Sequence, residues 1–301
     1  MVSALVLSGP PDDLPRAYAR CEEIARTHYE NFPVASRLLP AHMRPHIAAI
    51  YAFARRADDF ADEPGQSDAE RLRRLDDWEA RLTGNGSESD HHTDAGPIFL
   101  ALAHTIRERR LPLSLFRDLL SAFRQDVTTK RYRTWGDVLD YCRRSANPVG
   151  RLVLRVGGYE DQALDRQSDA ICTALQLTNF WQDFKGDWAA GRLYVPLEDR
   201  DAADASDADL DAGRMTSEWR AALAVVSERT RALFRDGRPL CDRVRGRLKW
   251  ELRLTWLGGT RILDKLQQGG FDPFDHRPVL GAADVPEILW RAVAWRRTAG
   301  G

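Results

Sequence analysis

Apolar side chains recur at intervals of three and four along residues 14–265, the period of an α-helix that buries one face. Ile50, Phe53 and Ala57 show this spacing and fall on one side of a predicted helix. Strand signals are nearly absent, because no useful length of the chain alternates β-branched and polar residues. The pattern therefore predicts an all-α fold.

Two polar stretches interrupt the helical pattern. Residues 84–96 are rich in glycine and small polar side chains, which predicts a loop. Residues 197–215 are acidic and poor in large apolar side chains, which suits either a loop or a weak, solvated helix. A last helix is predicted at about 284–297, with Asp284 as its N-cap and Glu287 three residues later.

Composition narrows the class of protein. The 301 residues are enough for one large domain or two small ones, and we expect one domain over 1–301, because the motifs below fall on both sides of each polar stretch. Lys and Arg number 44 against 45 Asp and Glu, so no nucleic-acid groove is indicated. There is no apolar run of about 18 residues, so no transmembrane helix is expected.

The N-terminus and the cysteines indicate a compartment. No basic region precedes the short apolar patch at the N-terminus, so we do not expect a signal peptide. The four cysteines are scattered and form no CxxC pair, so neither a disulfide framework nor a zinc knuckle is indicated. A reducing cytoplasm is the expected location.

A first acidic cluster directly follows an apolar helical run. Asp58, Asp59, Asp62 and Glu63 crowd together, and Asp58 and Asp62 lie about one helical turn apart. Like charges at this spacing destabilise a helix by a few tenths of a kcal/mol, which Arg55 offsets in part. Alone, the cluster fits either a solvated helix face or a site that holds cations.

A second cluster places a polar stripe on an apolar helix. Gln176, Asn179, Asp183 and Asp187 are spaced by three, four and four, so they share one face. Large apolar residues flank them, and carboxylates in such surroundings need partners. Mg²⁺ prefers carboxylate oxygens and commonly shares its shell with a substrate phosphate.

The two clusters together indicate a site for a diphosphate. About two or three Mg²⁺ ions would clamp the diphosphate and stabilise it as a leaving group. Basic residues near the clusters would contribute further positive charge. The candidates are Arg55, Arg192, Lys130 and Arg131.

Four segments resemble the squalene/phytoene synthase family of prenyl-coupling enzymes, and the resemblance covers about residues 18–267. In chain order they read YAFARRADDFAD, QDVTTKRYRTWGDVLDYCRRSANPVGRLVL, QLTNFWQDFKGDWAAGRLYVP and LRLTWLGGTRILDKL. The first and third look like the two aspartate-rich motifs of the family. The resemblance implies a class I isoprenoid synthase fold: a single all-α domain whose helices surround a central cavity. Trans-prenyltransferases and class I terpene cyclases have different second motifs and match less well.

Site residues can be carried over by this resemblance. It implies an isoprenoid diphosphate substrate and catalysis through the residues that hold Mg²⁺. The implied metal-binding residues are Asp58, Asp59, Asp62, Asn179, Asp183 and Asp187. The implied substrate-binding residues are His28, Asn31, Arg55, Tyr141, Arg144, Asn147, Gln176, Arg192 and Tyr194.

Two departures from the family pattern narrow the choice among the branches of the family. Residues 28–32 read HYENF where many members have a serine-rich element, and Arg144 stands where many have a second tyrosine. Asn147 and Pro148 also replace the usual glycine-containing position. Both departures resemble the hydroxysqualene synthase branch of bacterial hopanoid pathways.

This branch implies a reaction without a redox cofactor. Presqualene diphosphate would ionise and rearrange, and water would quench the cation, so no NADPH is expected. A presqualene diphosphate synthase and a hydroxysqualene dehydroxylase would be partners. The polar residues that differ from the family pattern are candidates for holding the water: Tyr29, Glu30, Asn31, Arg144 and Asn147.

Two other readings of the function stay open. One is a phytoene, dehydrosqualene or complete squalene synthase that condenses two prenyl diphosphates. The other is a helical assembly protein without catalysis.

Two remaining features have structural alternatives. His42 and His46 are four apart, as zinc ligands can be, but no third ligand accompanies them, so an ordinary structural role is preferred. In the last predicted helix, Trp290 and Trp295 lie near arginines such as Arg291, a mixture that suits peripheral contact with a membrane surface. Packing on the protein's own core is the commoner outcome.

Overall fold

The chain is built from α-helices. The computed structural model describes residues 13–27, 38–84 and 95–296. Within these ranges there are fifteen helices and no strand, only an isolated bridge between Arg131 and Leu193. The all-α prediction is confirmed. The helices fall into two compact units.

The first unit contains five helices and a short later segment, 151–160. Its helices are α1 (Asp13–Thr27), α2 (Arg44–Asp62), α3 (Asp68–Leu82), α4 (Ala95–Arg109) and α5 (Leu113–Thr128). Aromatic rings fill the space between α2, α3 and α4. Trp78 stacks on Phe53 with ring centroids 5.8 Å apart, and its indole N–H donates to the Phe53 carbonyl. The Phe99 ring lies 4.5 Å from that of Trp78.

Local sequence explains where α2 ends. Pro64 disfavours helical backbone in the preceding residue, and Gly65 adopts a φ of 80°, which only glycine adopts easily. The next helix, α3, begins one turn later, because the Ser67 hydroxyl accepts from the Glu70 N–H as an N-cap. The acidic residues of α2 therefore lie in its last turns.

The second unit contains the remaining helices. They are α6 (Trp135–Ser145), the start of α7 (Asn147–Val156), α8 (Gln162–Gln182), α9 (Phe184–Ala189), α10 (Leu197–Ala202), α11 (Asp207–Asp211), α12 (Ser217–Gly237), α13 (Leu240–Arg243), α14 (Gly246–Gln268) and α15 (Asp284–Val293). The long helices α8, α12 and α14 pack on one another. In their shared core the Trp181 indole N–H donates to the Thr230 hydroxyl at 2.9 Å.

Glycines let these long helices approach closely. A side chain added at Gly259 of α14 would meet the Phe234 ring of α12 at 2.5 Å and Leu175 of α8 at 2.8 Å. The neighbouring Gly258 meets only Leu280, at an ordinary 3.4 Å. Of this adjacent pair, Gly259 alone is required by the packing of α14 on α8 and α12.

Several sequence-based boundaries need correction. The polar stripe does not lie on one unbroken helix, because α8 ends at Gln182 and α9 starts at Phe184. The acidic stretch 197–215 contains two short helices, α10 and α11. Most of the predicted loop 84–96 lies outside the described residues.

The prediction for the last helix was right about its start near residue 284 but wrong about its capping residue and its end. Its N-cap is Ala283, and the helix ends at Val293 rather than near 297. The Asp284 carboxylate is buried and pairs with Arg261 and Lys265 of α14. These hydrogen bonds, led by that from Lys265, hold the pKa of Asp284 well below its usual range. The Asp284 carboxylate, which the local pattern assigned to capping, thus forms ion pairs with another helix instead.

In the described residues, no helix combines the length and the apolar character that crossing a bilayer requires.

Replacing Gly259 with alanine should lower the free energy of unfolding by about 1–3 kcal/mol, because the new methyl group overpacks the contact with Phe234 and Leu175. Gly258→Ala is the matched control. It should leave stability unchanged or raise it by roughly 0.5–1 kcal/mol, because alanine is the better helix former. Denaturant titration of both variants measures the difference, and equal stabilities would contradict the close approach.

Candidate functional site

The first acidic cluster occupies the end of α2. Arg55 reaches forward along the helix to two of its members, Asp59 at 2.9 Å and Asp58 at 3.4 Å. Arg56 lies 4.0 Å from Asp59, and Asp62 is exposed. The structure therefore brings the predicted residues of this motif together on one surface.

The helix dipole makes the position of this cluster unfavourable. The C-terminal end of a helix carries partial negative charge, which destabilises nearby carboxylates by about 0.3–1 kcal/mol each. The last turn of α2 has no basic residue to compensate. Bound cations would relieve both this effect and the mutual repulsion of the carboxylates.

A polar cavity of about 250 Å³ lies beside the cluster within the first unit. Its lining residues come from α1, α2 and α4 and are Arg20, Glu23, Ile24, Thr27, Ala52, Arg55, Arg56, Asp59 and Ile98. The buried Nε of Arg55 has no hydrogen-bond partner among the described residues. Arg55 and Arg56 both line the cavity, so an anion there would meet two guanidinium groups.

The second acidic cluster lies where α8 meets α9. Gln176, Asn179, Asp183 and Asp187 are all partly exposed, whereas the apolar residues between them are buried. Helical spacing persists through the break: the Asp183 N–H donates to the Asn179 carbonyl at 2.8 Å, and the Asp187 N–H to the Asp183 carbonyl at 2.9 Å. The predicted stripe thus survives the end of α8.

This cluster also lies at a helix C-terminus. Asp183 is the C-cap of α8, whose last turn has no basic residue. Asp187 lies in the first turn of α9, where partial positive charge favours a carboxylate. Asp183 is also the N-cap residue of α9, but its side chain makes no capping hydrogen bond there, so its carboxylate remains available to a cationic partner.

That partner is an arginine that the sequence analysis missed. Arg277 donates to Oδ1 of Asp183 through its Nε at 2.8 Å and a terminal nitrogen at 2.6 Å. Both side chains are about half-exposed. Arg277 follows α14 in an irregular segment, and nothing local distinguishes it from other arginines, so the sequence signal for it is weak.

The segment that carries Arg277 is fastened across the α8–α9 junction. We call residues 274–278 the strap. Gln182 donates to the Pro278 carbonyl at 2.6 Å and Lys185 to the Phe274 carbonyl at 3.0 Å. The Phe274 ring also packs against Phe184 of α9. These contacts hold Arg277 over Asp183.

Aromatic side chains form a cluster one turn from the stripe. Tyr194 stacks on Phe180 with parallel rings 3.5 Å apart, and Tyr141 and Tyr132 lie within about 6 Å of Tyr194. All four rings are buried. The predicted residues Tyr141 and Tyr194 are therefore brought together. They lie next to Phe180, which follows Asn179 in the sequence.

The loop that precedes Tyr194 is held by backbone hydrogen bonds. The Arg192 N–H donates to the Asp187 carbonyl at 2.7 Å, and the Leu193 N–H to the Lys130 carbonyl at 3.0 Å. Arg131 stacks over Trp188 of α9 at 4.7 Å. The basic candidates Arg192, Lys130 and Arg131 thus lie around the second acidic cluster.

Arg144 is part of an ion-pair cluster on α6. It pairs with Asp140 one turn earlier at 2.9 Å, and Arg143 pairs with the same carboxylate. Hydrogen bonds, first from Arg143 and then from Arg144, lower the pKa of Asp140. The Arg144 side chain is mostly buried, so its charge is held in a defined place.

Asn147 starts α7 directly after α6 ends. Its side-chain oxygen accepts from the Thr173 hydroxyl of α8 at 2.9 Å, and both groups are buried. Asn147 therefore ties the α6–α7 junction to α8, one turn before Gln176. This is a structural role for a residue that the sequence analysis singled out as a water holder.

The predicted residues His28, Tyr29, Glu30 and Asn31 lie outside the described residues.

Of the predicted histidine pair His42 and His46, the structure gives His46 a role in packing. His46 is buried; its Nδ1 lies 3.0 Å from the Thr105 hydroxyl, and its Nε2 accepts from Arg109 at 3.0 Å. Burial, and then the charge of Arg109, lower the pKa of His46. Because both nitrogens of this imidazole already have hydrogen-bond partners, His46 is poorly placed to join His42 in a zinc site.

The donor sets fit Mg²⁺ bound in an open manner. Within the described ranges, no group of three or more His, Cys, Asp or Glu residues is arranged so that it could hold a metal ion by itself. Mg²⁺ is usually held by one or two carboxylates, with waters and substrate phosphates completing its shell. Asp58, Asp59 and Asp62 offer such a partial set, as do Asp183 and Asp187 with the Asn179 amide.

Comparison with solved structures identifies the fold as that of class I isoprenoid synthases. Squalene synthase HpnC from Alicyclobacillus acidocaldarius is 40% identical and superposes with a TM-score of 0.78 over 88% of this chain and 98% of that chain. A dehydrosqualene synthase in complex with a ligand is 21% identical and has a TM-score of 0.79 over 95% and 99% of the two chains. The second likeness concerns the fold alone.

Sequence comparison identifies the family. The sequence profile of squalene/phytoene synthases matches residues 25–284. The hydroxysqualene synthase of Rhodopseudomonas palustris is 38% identical over 255 residues, which are 84% of each chain. The chain belongs to the squalene/phytoene synthase family.

The Arg277–Asp183 pair should compete with metal. In the variant Arg277→Gln, Mg²⁺ no longer has to displace a guanidinium from Asp183. The dissociation constant for Mg²⁺ without substrate should therefore fall about two- to fivefold, as expected from the strength of an exposed ion pair. Isothermal titration calorimetry measures it.

Arg220→Gln is the matched control, because Arg220 pairs with Asp272 at 2.7 Å in the segment before the strap, away from the acidic clusters. Its affinity for Mg²⁺ should match that of the unmodified protein. An equal gain in both variants, or none in Arg277→Gln, would show that Arg277 does not compete.

Proposed function

We propose that this protein is a hydroxysqualene synthase. It would ionise presqualene diphosphate, rearrange the carbon skeleton and capture water, releasing hydroxysqualene and diphosphate. The observation that carries the proposal is the pair of acidic clusters at two helix ends, in a chain 38% identical to a hydroxysqualene synthase over 84% of its length.

The acidic clusters would hold about two or three Mg²⁺ ions. Asp58, Asp59 and Asp62 form one partial set, and Asn179, Asp183 and Asp187 form the other. When bound, the ions would supply the positive charge that stabilises diphosphate as a leaving group.

Arginines and polar side chains would hold the diphosphate itself. Arg55 lines the cavity beside Asp59, and Arg277 already contacts Asp183. Arg192 and Gln176 lie around the second cluster. We assign these four side chains to binding and orienting the diphosphate, because guanidinium and amide N–H groups match phosphate oxygens.

The buried aromatic cluster would protect the carbocation. Tyr141 and the stacked pair Tyr194 and Phe180 would attract positive charge through their π-systems and exclude stray water. The quenching water would be held at a polar edge of this region. Thr173 fixes the oxygen of Asn147, so the amide nitrogen of Asn147 remains the group with which it would position the water.

Arg144 would act through its charge. A guanidinium stays protonated, so it is a poor general base for the condensation of two prenyl diphosphates. Held by Asp140, it is suited to attract the departing anion. Since water ends the reaction, no hydride donor is needed and NADPH is not part of the proposal. His28 and Asn31 remain proposed substrate-binding residues.

The proposal extends to the domain organisation, the location and the partner enzymes of the protein. The chain would form a single isoprenoid synthase domain. The protein would work in the cytoplasm, in peripheral contact with the inner face of the membrane. A presqualene diphosphate synthase would supply its substrate, and a hydroxysqualene dehydroxylase would consume its product.

A second candidate is a complete squalene synthase. It is favoured by the name of the solved relative from Alicyclobacillus acidocaldarius, which is called a squalene synthase and is 40% identical to this chain. Such an enzyme would condense two farnesyl diphosphates and end the reaction with hydride.

Substrate choice should separate the two candidates. Presqualene diphosphate with Mg²⁺ and without NADPH should give hydroxysqualene, whereas farnesyl diphosphate should give little or no C30 product, because Arg144 cannot serve as the base. Gas chromatography of the extracted lipids measures both. Comparable rates on the two substrates, or squalene formed from farnesyl diphosphate once NADPH is added, would favour the second candidate.

Replacing Asp183 with asparagine should lower turnover by about two orders of magnitude or more, the range seen when a group that stabilises transition-state charge is lost. Stability should change by less than about 1 kcal/mol, because the Asp183–Arg277 pair is half-exposed. Turnover should also stop when EDTA removes the metal.

The exposed Asp211, outside both acidic clusters, provides the matched control. Asp211→Asn should leave turnover and stability unchanged. Near-normal activity of Asp183→Asn, or activity that persists in EDTA, would remove Asp183 from the site.

A further inference from the structure

Exposed apolar side chains concentrate near the end of the chain. Nine large hydrophobic residues are exposed among the residues the structure describes, and six of these fall within 279–293. We call these six the apolar strip: Val279, Leu280, Val285, Leu289, Trp290 and Val293. Their exposed fractions run from 46% to 70%, with Trp290 the most exposed. Such a concentration of exposed apolar side chains usually marks an interaction surface.

The apolar strip belongs to a rigidly held element rather than to a loose tail. Val285, Leu289 and Val293 are four apart and share the outer face of α15. The inner face is anchored on α14 through Asp284, which pairs with Arg261, and through the Ala292 carbonyl, which accepts from Arg253. The strip is therefore displayed outwards in a fixed orientation.

Basic residues lie next to one end of the strip. Arg243, Arg245, Arg247 and Lys249 occupy an eight-residue stretch without an acidic residue, 243–250, which runs into the start of α14. The C-terminal end of α15 meets this part of α14, because Arg253 contacts both Ala292 and the Trp295 ring.

The same end of the strip has two further features of an interfacial surface. Trp250, in the basic stretch, is itself 40% exposed. Arg296, beyond the end of α15, is also exposed. The strip is thus bordered at one end by local positive charge, although the whole chain has a net charge of −1.

We propose that the apolar strip and the basic stretch dock the protein onto a bilayer surface that contains anionic lipids. Side chains of the strip enter the headgroup boundary, and the basic stretch pairs with lipid phosphates. Trp290 and Trp250 suit this boundary because an indole combines an apolar body with a polar N–H. Since the net charge is close to zero, attraction must come from this local patch. This surface deepens the peripheral membrane contact proposed above by naming its residues and the lipid charge it requires, and it does not depend on the proposed reaction.

Sedimentation of the full chain with lipid vesicles tests the surface. The protein should sediment with vesicles of phosphatidylcholine and phosphatidylglycerol and much less with phosphatidylcholine alone. The double variant Leu289→Ser and Trp290→Ser should bind the anionic vesicles at least about tenfold more weakly. Val225→Ser is the matched control: Val225 is 48% exposed on α12, outside the strip, and its loss should leave binding unchanged.

A charge variant tests the basic stretch separately. Arg247→Gln with Lys249→Gln should weaken binding to anionic vesicles by about fivefold or more, and added salt should reduce the difference. Arg214→Gln, which removes an exposed arginine paired with Asp209, should have no effect.

Three outcomes would overturn the proposal. Equal vesicle binding by the serine double variant and the unmodified protein would exclude the strip. Equal binding to vesicles with and without phosphatidylglycerol would exclude a role for the basic stretch. Failure to bind vesicles, together with self-association that the serine double variant abolishes in light scattering, would assign the strip to a second copy of the chain.

Turnover of detergent-dispersed presqualene diphosphate separates this surface from the proposed reaction. The serine double variant should retain full turnover, since no strip residue lies in the acidic clusters. Lost vesicle binding with retained turnover supports the docking surface. Retained vesicle binding in a protein that lacks activity would refute the reaction alone.

Discussion

The candidate site depends on carboxylates held where a helix least favours them. Both acidic clusters reach the C-terminal end of a long helix, and neither last turn contains a basic residue. Repulsion between neighbouring carboxylates adds to the unfavourable field. The chain offsets part of this with arginines, Arg55 within α2 and Arg277 from the strap. Added positive charge would relieve the repulsion that these arginines leave in place.

The packing around the second cluster serves the same arrangement. The buried faces of α8 fix its last turn against α12 and α14, with Gly259 allowing the close approach. The strap then fixes the guanidinium over the α8–α9 junction. The charged side chains of the cluster are thus partly exposed, while the apolar residues of α8 between them are buried. This division lets the charged groups exchange partners without disturbing the helices.

The features that could be predicted from the sequence are those that local periodicity determines. The all-α class, the i, i+4 spacing in both clusters and the apolar flanks of the stripe all follow from residues close in the chain. The break at Asp183 was missed because the polar spacing runs through it unchanged. Arg277 was missed because its partner lies 94 residues away. Asp284 was assigned to capping because a local pattern does not reveal Arg261 and Lys265 across a helix contact. The role of Asn147 likewise depends on Thr173, on another helix.

The strap is fastened mainly through its main chain. Gln182 and Lys185 bind the carbonyls of Pro278 and Phe274, and a carbonyl is the same whatever side chain its residue carries. These two hydrogen bonds therefore do not use the side chains of Pro278 and Phe274. Arg277 is different, because its contact with Asp183 is made by the side chain itself. The course of the strap therefore depends on side-chain identity mainly at two positions, Arg277 and Phe274, whose buried ring packs against Phe184.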